Sequence, residues 1–200
     1  MEGLLEEPIF TVWLGSRAQG GASGGQITYG GLDNEHCGPI IAYEELSSAT
    51  FFQFKISGIG VGKLMKKETI EVMSDTGSSF IGGPKSDIER LAKAVGAEYV
   101  EGCEIYRIPC DANPPNLNIY IGSNKYSIES ANYIIDPSMH RQFSERLPLQ
   151  AGDMCIFAVS PATSGWFGPA WILGTPFIRQ YCNIHDMGQK RIGFARSLTE

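Results

Sequence analysis

Short stretches of alternating apolar and polar residues, cut at close intervals by Gly or Pro, restrict this chain to a sheet-rich fold. Ile9–Leu14, Gln26–Tyr29, Phe51–Ile56, Glu104–Ile108, Leu117–Ile121 and Lys125–Ile128 read as strands, with Gly122-Ser123-Asn124 as a hairpin turn. With 24 Gly and 11 Pro among 200 residues and 42% hydrophobic residues, the chain buries a sizeable core while turning often, which favours an all-β fold. Two segments read as short helices instead. Ser86-Asp87-Ile88-Glu89 has capping-box spacing, with Leu91, Ala92 and Val95 on one face and Gly96 as a stop. Thr175-Pro176 opens a second helix that runs to about Gln180. The polar stretch from Asp136 to Gly152 reads as a long rim loop.

One tripeptide concentrates the chemistry. Asp75-Thr76-Gly77-Ser78-Ser79 follows the β-prone Ile70-Glu71-Val72-Met73-Ser74 and precedes the apolar Phe80-Ile81-Gly82-Gly83, so the Asp75 carboxylate falls at a strand end. Gly77 permits a tight turn there, and the hydroxyls of Thr76 and Ser78 lie within reach of the carboxylate or nearby backbone, where hydrogen bonds favour the ionised form. A lone carboxylate of this kind is a good acceptor and a poor acid catalyst. Two held about 3 Å apart cannot both ionise, so one can act as base on a water while the other donates to a peptide carbonyl. The chain contains a single Asp-Thr-Gly, so that chemistry needs a second Asp from elsewhere.

The run Asp75 to Pro84 resembles the second active-site loop of pepsin-like aspartic endopeptidases. Trp171-Ile172-Leu173-Gly174-Thr175-Pro176-Phe177 resembles the apolar-apolar-Gly element that follows it in that family. Phe10–Leu14 with Gly24–Asp33 resembles the strand and hairpin that open the C-terminal half, and Arg191–Ala195 resembles the last strand. Leu46–Thr50 and Tyr181–Asp186 are most similar to nematode intestinal or lysosomal members. The resemblance implies an all-β, pepsin-like acid protease lobe of the closed, double-psi barrel type with two or three short helices. It also implies that residues 1–200 are a C-terminal lobe, with 1–33 part of a central inter-lobe sheet and the N-terminal lobe absent.

By the same resemblance, Asp75 is catalytic and Thr76, Gly77, Ser78 and Ser79 form the active-site loop. Trp171, Ile172, Leu173 and Gly174 support it from beneath, the substrate is a polypeptide, and no cofactor is required. A two-lobed parent would run to about 320 residues or more. Three readings follow: half of a two-lobed peptidase, two copies pairing their Asp75 residues about a two-fold axis, or a catalytically inactive peptide-binding lobe.

Five cysteines suit an oxidising compartment. Cys110 and Cys155 match the family's disulfide in this lobe, Cys37 and Cys182 are a second candidate pair, and Cys103 is left over; spacing alone fixes neither pair, and five unbridged thiols remain the alternative. The family implies a secreted or lysosomal setting, while Met1–Pro8 has neither the basic start nor the apolar stretch of a signal peptide.

Other signals resolve into structure. The net charge of −6 gives no footprint for nucleic acid, and no apolar run approaches the roughly 18 residues that suggest a membrane span. Without a Cys-x-x-Cys, and with His36, His140 and His185 scattered, no metal is expected. Gly21-Ala22-Ser23-Gly24-Gly25 fits the Gly-x-Ser-x-Gly pattern, but a strand follows where a nucleophile elbow needs a helix. Gly58–Lys63 lacks Walker spacing and reads as strand and turn. Trp171 reads as packing beneath the sheet, and Trp166 with Phe167 as neighbours of a substrate pocket.

Overall fold

The computed structural model describes residues 5–15, 24–137, 154–162, 169 and 171–198. Within them lie three sheets and three short helices. A five-stranded sheet runs β2 (Gly25–Tyr29), β1 (Ile9–Leu14), β15 (Tyr181–Asp186), β16 (Arg191–Ser197), β3 (Cys37–Glu45). A seven-stranded sheet runs β10 (Asn124–Ile128), β9 (Leu117–Ile121), β4 (Gln53–Val61), β5 (Leu64–Ser74), β14 (Trp171–Leu173), β6 (Ile81–Gly83), β13 (Val159–Pro161). The third sheet joins β11 (Ile134–Ile135), β12 (Met154–Phe157), β8 (Ile105–Pro109) and β7 (Glu98–Val100). The helices are α1 (Lys85–Val95), α2 (Ser130–Tyr133) and α3 (Thr175–Gln180).

The all-β class and the short helices match the expectation, while the closed barrel is corrected to open sheets. Closure needs hydrogen bonds between the outermost strands, and among the described residues β10 and β13 bond only inward, to β9 and β6. Side chains join the sheets instead. Tyr126, Phe177, Tyr181 and Phe194 meet at ring-centroid distances of 5.0–6.1 Å in one core with Phe54, Val72, Ile119 and Trp171. A smaller cluster of Ile9, Cys37, Cys182, Ile184 and Ala195 covers the opposite face of the five-stranded sheet.

Local physics sets several boundaries. β4 starts at Gln53, not Phe51, because Phe52 adopts a left-handed φ of 47° in the turn that bridges Ser48 to Gln53. It then runs on to Val61, through glycines where β5 presses close: a Cβ on Gly60 would sit 2.2 Å from the Leu64 carbonyl oxygen. Gly62, at φ 57°, makes the turn into β5. The capping box is corrected too. Pro84 is the N-cap, with its carbonyl accepting the amides of Asp87 and Ile88, so Ser86 lies inside α1 and caps nothing. Gly96, left-handed at φ 75°, closes α1 as expected.

Two disulfides are present, Cys37–Cys182 and Cys110–Cys155, with Cα separations of 6.1 and 4.8 Å. Cys103 belongs to neither and packs against the main core. No helix among the described residues is long and apolar enough to cross a membrane. The rim loop lies largely outside the described residues, as do Trp166, Phe167 and the first three residues of Gly21–Gly25.

Candidate active site

The Asp75 turn is built by three strands from distant parts of the chain. β5 delivers the aspartate and β6 leaves the turn. β14 lies between them, parallel to β5 (Leu173 opposite Ser74) and antiparallel to β6 (Leu173 opposite Ile81). The amide of Asp75 donates to the Leu173 carbonyl at 3.1 Å, which fixes the end of β5. A parallel pair cannot be joined by a tight hairpin. That is why Ile172-Leu173-Gly174 lies nearly a hundred residues downstream of the loop it supports.

Gly174 is required by close approach. A Cβ there would meet the carbonyl oxygens of Ser78 and Phe80 at 2.3 Å each. Immediately after it, the Thr175 amide donates to the Ser78 carbonyl at 2.8 Å and the Thr175 hydroxyl to the Ser79 carbonyl at 3.2 Å. The turn is thus held from behind by its backbone, which leaves its side chains facing outward. Trp171 is 1% exposed and lies so close to Gly83 that a Cβ would come within 2.7 Å of the indole.

The carboxylate of Asp75 is held by its own turn. Oδ1 accepts the Gly77 amide at 2.9 Å, and Oδ2 accepts the Ser78 hydroxyl at 2.7 Å. Gly77 contributes through space and not through a left-handed φ: a Cβ would sit 3.2 Å from Asp75 Oδ1. Asp75 and Ser78 are half-buried, whereas Thr76, Gly77 and Ser79 are exposed. With one donor on each oxygen and its outer side open, the group retains lone pairs for a water or a second carboxyl.

Two buried polar residues near this framework gave little sequence signal. Asn183, fully buried on β15, accepts the Ser74 hydroxyl at 2.8 Å and donates to the Tyr181 carbonyl at 2.8 Å. Its one trace in the sequence is an amide between the apolar Cys182 and Ile184. His185, also on β15, is stacked on Phe10 at 4.3 Å and meets the edge of Phe52 at 4.6 Å. Burial pushes its imidazole down to about 4.

A cavity of about 520 Å³, lined by Thr11, Asp33, Cys37, Ile184 and Ala195 among others, opens on the face of the five-stranded sheet turned away from the main core. None of Asp75–Ser79 lines it. No group of three or more His, Cys, Asp or Glu residues that could hold a metal ion occurs among the described residues.

A strand-end aspartate, oriented by its own Asp-Thr-Gly-Ser turn and backed by an apolar-apolar-Gly strand between the turn's two arms, defines a class. The chain belongs to the eukaryotic aspartyl protease family, whose model matches residues 1–197. Aspartic protease 6 of Caenorhabditis elegans is 49% identical over 199 residues, covering 98% of this chain and 48% of the relative. Aspartic protease 17 of the same nematode is 40% identical, covering 96% of this chain and 48% of the relative. Mouse cathepsin E, at 31% identity over 97% of this chain and 47% of its own length, is more distant. The nematode likeness read from the sequence agrees with these identities. The chain spans about half the length of the curated relatives it matches.

Proposed function

We propose that this chain is the C-terminal lobe of an aspartic endopeptidase and that Asp75 supplies one carboxyl of a catalytic pair. The observation that carries the reading is the carboxylate itself, at a half-buried strand end and held by the Gly77 amide and the Ser78 hydroxyl. The second carboxyl comes from an N-terminal lobe, with β1 and β2 contributing to a sheet shared between the lobes. At acid pH the pair shares one proton and holds a water between its members. The ionised carboxyl takes a proton from that water as it attacks the scissile carbonyl, and the protonated one donates to the carbonyl oxygen. Collapse of the tetrahedral intermediate releases the amine with a proton returned to it. No covalent intermediate forms.

In this scheme Ser78 orients Asp75, the Gly77 carbonyl accepts a hydrogen bond from substrate backbone, and Thr76 buttresses the partner loop. The exposure of Thr76 and Gly77 supports both roles. The substrate is an extended polypeptide, bound with strand-like backbone hydrogen bonds and apolar side chains in pockets. The setting is secreted or lysosomal.

The test is hydrolysis of denatured globin at acid pH, with and without pepstatin, by the 200-residue chain and by a two-lobed polypeptide containing it. The expected result is pepstatin-sensitive activity that requires both lobes and is abolished by Asp75→Asn. Full activity in Asp75→Asn removes Asp75 from the mechanism. Activity of the 200-residue chain that rises with the square of its concentration replaces the two-lobed reading with self-pairing.

A further inference from the structure

Side chains as well as backbone fix the strand that carries Asp75. Ser74, the residue before it, projects from the seven-stranded sheet and donates to Asn183 on the five-stranded sheet, 109 positions away. Asn183 stands opposite Val12 of β1 and Phe194 of β16 and has no exposed surface. An amide in such surroundings costs several kcal/mol to desolvate unless it is hydrogen-bonded, and an apolar side chain of similar size would pack there without that cost. Both of its polar ends are used: the oxygen by Ser74, the nitrogen by the Tyr181 carbonyl. The bond spans two sheets and ends one residue from the carboxylate.

We propose that Ser74 and Asn183 form a positioning pair that sets the direction of the Asp75 carboxyl by tying the end of β5 to β15. This rests on the reading of Asp75 as half of a catalytic pair. The Asp75 amide is anchored to Leu173 on one side, and the Ser74 hydroxyl is anchored to Asn183 on the other. Together they leave the backbone at residues 74–75 little freedom to swing. The carboxyl can then meet both its turn donors and its partner carboxyl without searching for alignment. Misplacement by about 1 Å costs on the order of 100-fold in rate, and loss of either member of the pair releases one of the two anchors.

The experiment has two arms. In the two-lobed polypeptide, Ser74→Ala and Asn183→Val are each expected to lower kcat by about 10- to 100-fold with KM within about twofold, and to shift the acid limb of the kcat profile. The double variant is expected to be no worse than the weaker single one, since both remove the same bond. Ser74→Thr, which keeps the hydroxyl, is expected to recover most of kcat. In the 200-residue chain, where no activity is needed, the NMR signal of the Gly77 amide reports the Asp75 carboxylate it binds. That signal should move in Ser74→Ala and Asn183→Val and return in Ser74→Thr.

Wild-type kcat in the single variants, a Ser74→Thr as impaired as Ser74→Ala, or an unmoved Gly77 amide overturns the proposal. Should a single variant fail to fold, Ser74→Val/Asn183→Val removes both ends of the inter-sheet bond together, leaving only the Tyr181 carbonyl without its side-chain donor, and wild-type kcat in that pair overturns the proposal equally. Asp75→Asn in the same assay keeps the two readings apart. Its full activity would sink the catalytic assignment whatever the Gly77 signal does.

Discussion

The seven-stranded and five-stranded sheets treat ionisable groups in opposite ways. The first leaves Asp75 half-exposed at the end of β5, and at the other end of that strand Lys66 faces Asp87 of α1, whose side chain is 12% exposed. The second buries His185 between Phe10 and Phe52, leaving Nδ1 without a hydrogen-bond partner among the described residues. Their means of cohesion differ as well. The seven-stranded sheet relies on close backbone approach at Gly58, Gly60, Gly83 and Gly174. The five-stranded sheet relies on aromatic packing and a covalent bridge. The seven-stranded sheet thus keeps the Asp75 charge half-exposed on a closely packed support, whereas the five-stranded sheet holds its histidine away from water.

The largest effect expected from this contrast is on the bridge. Cys37–Cys182 closes 145 residues and joins β3 to β15, which flank β16 without pairing with each other. Cys110–Cys155 closes 45 residues and joins the ends of β8 and β12, already bonded as neighbours. Chain entropy assigns about 5 kcal/mol to the first loop and about 4 to the second. The first also secures a junction that no ladder covers. Replacing Cys37 and Cys182 by Ala should therefore lower the chemical-denaturation midpoint more than the same change at Cys110 and Cys155. The reverse order would show that the five-stranded sheet does not depend on its staple.

His185→Phe comes next. The native imidazole is pushed from 6.5 to about 4 by burial. The folded state therefore binds the proton less readily than the unfolded state, and stability falls as pH drops from about 6.5 to 4, levelling off below that. A shift of this size corresponds to about 3 kcal/mol across the window. Phenylalanine fits an aromatic sandwich and carries no proton, so the variant should lose this part of the acid sensitivity and unfold at nearly the same temperature at pH 4 as at pH 7. An unchanged difference between the two pH values would mean that the histidine is charged or solvated in place. The fold thus carries a residue that acid penalises, and the burial that keeps its imidazole neutral is the source of that penalty.

Much of this was legible in the sequence, for physical reasons that differ by region. The Asp75 turn, the apolar-apolar-Gly strand, β1 and β9 stand out because each combines a special residue or turn with a regular flank, whereas spacing left the cysteine pairs open and only the family resemblance suggested Cys110–Cys155. β6, β7 and β13 have three residues each, too few to display a period. β3 hides behind Gly38-Pro39, which reads as a break. Ser74–Asn183 was out of reach because it depends on which strand of one sheet faces which strand of another, and the His185 sandwich because it depends on the register of β1 against β15 and on the turn that brings in Phe52. The capping box misled because Asp87, the residue after Ser86, is drawn to Lys66 while Pro84 begins the helix.

The smallest expected effect sharpens the contrast from the other sheet. Lys66 Nζ lies 2.6 Å from Asp87 Oδ2 and 3.2 Å from Glu68 Oε2, and Arg90 Nη1 lies 3.9 Å from Asp87 Oδ1. The hydrogen bond that Lys66 donates to Asp87 holds the ammonium above its usual range, so this contribution is fully present below about pH 10.5 and is lost only as pH rises beyond it. Asp87→Asn keeps an acceptor for the lysine but removes the charge, and should cost about 1 kcal/mol, less at high salt. The loss should be the same at pH 5.5 and pH 8, whereas the effect of His185→Phe should differ between them. If Asp87→Asn instead costs as much as the loss of a buried ion pair, about 3 kcal/mol or more, then the seven-stranded sheet is drier at α1 than the partial exposure of Lys66 suggests. The division between a wet sheet and a dry one would then hold only around Asp75.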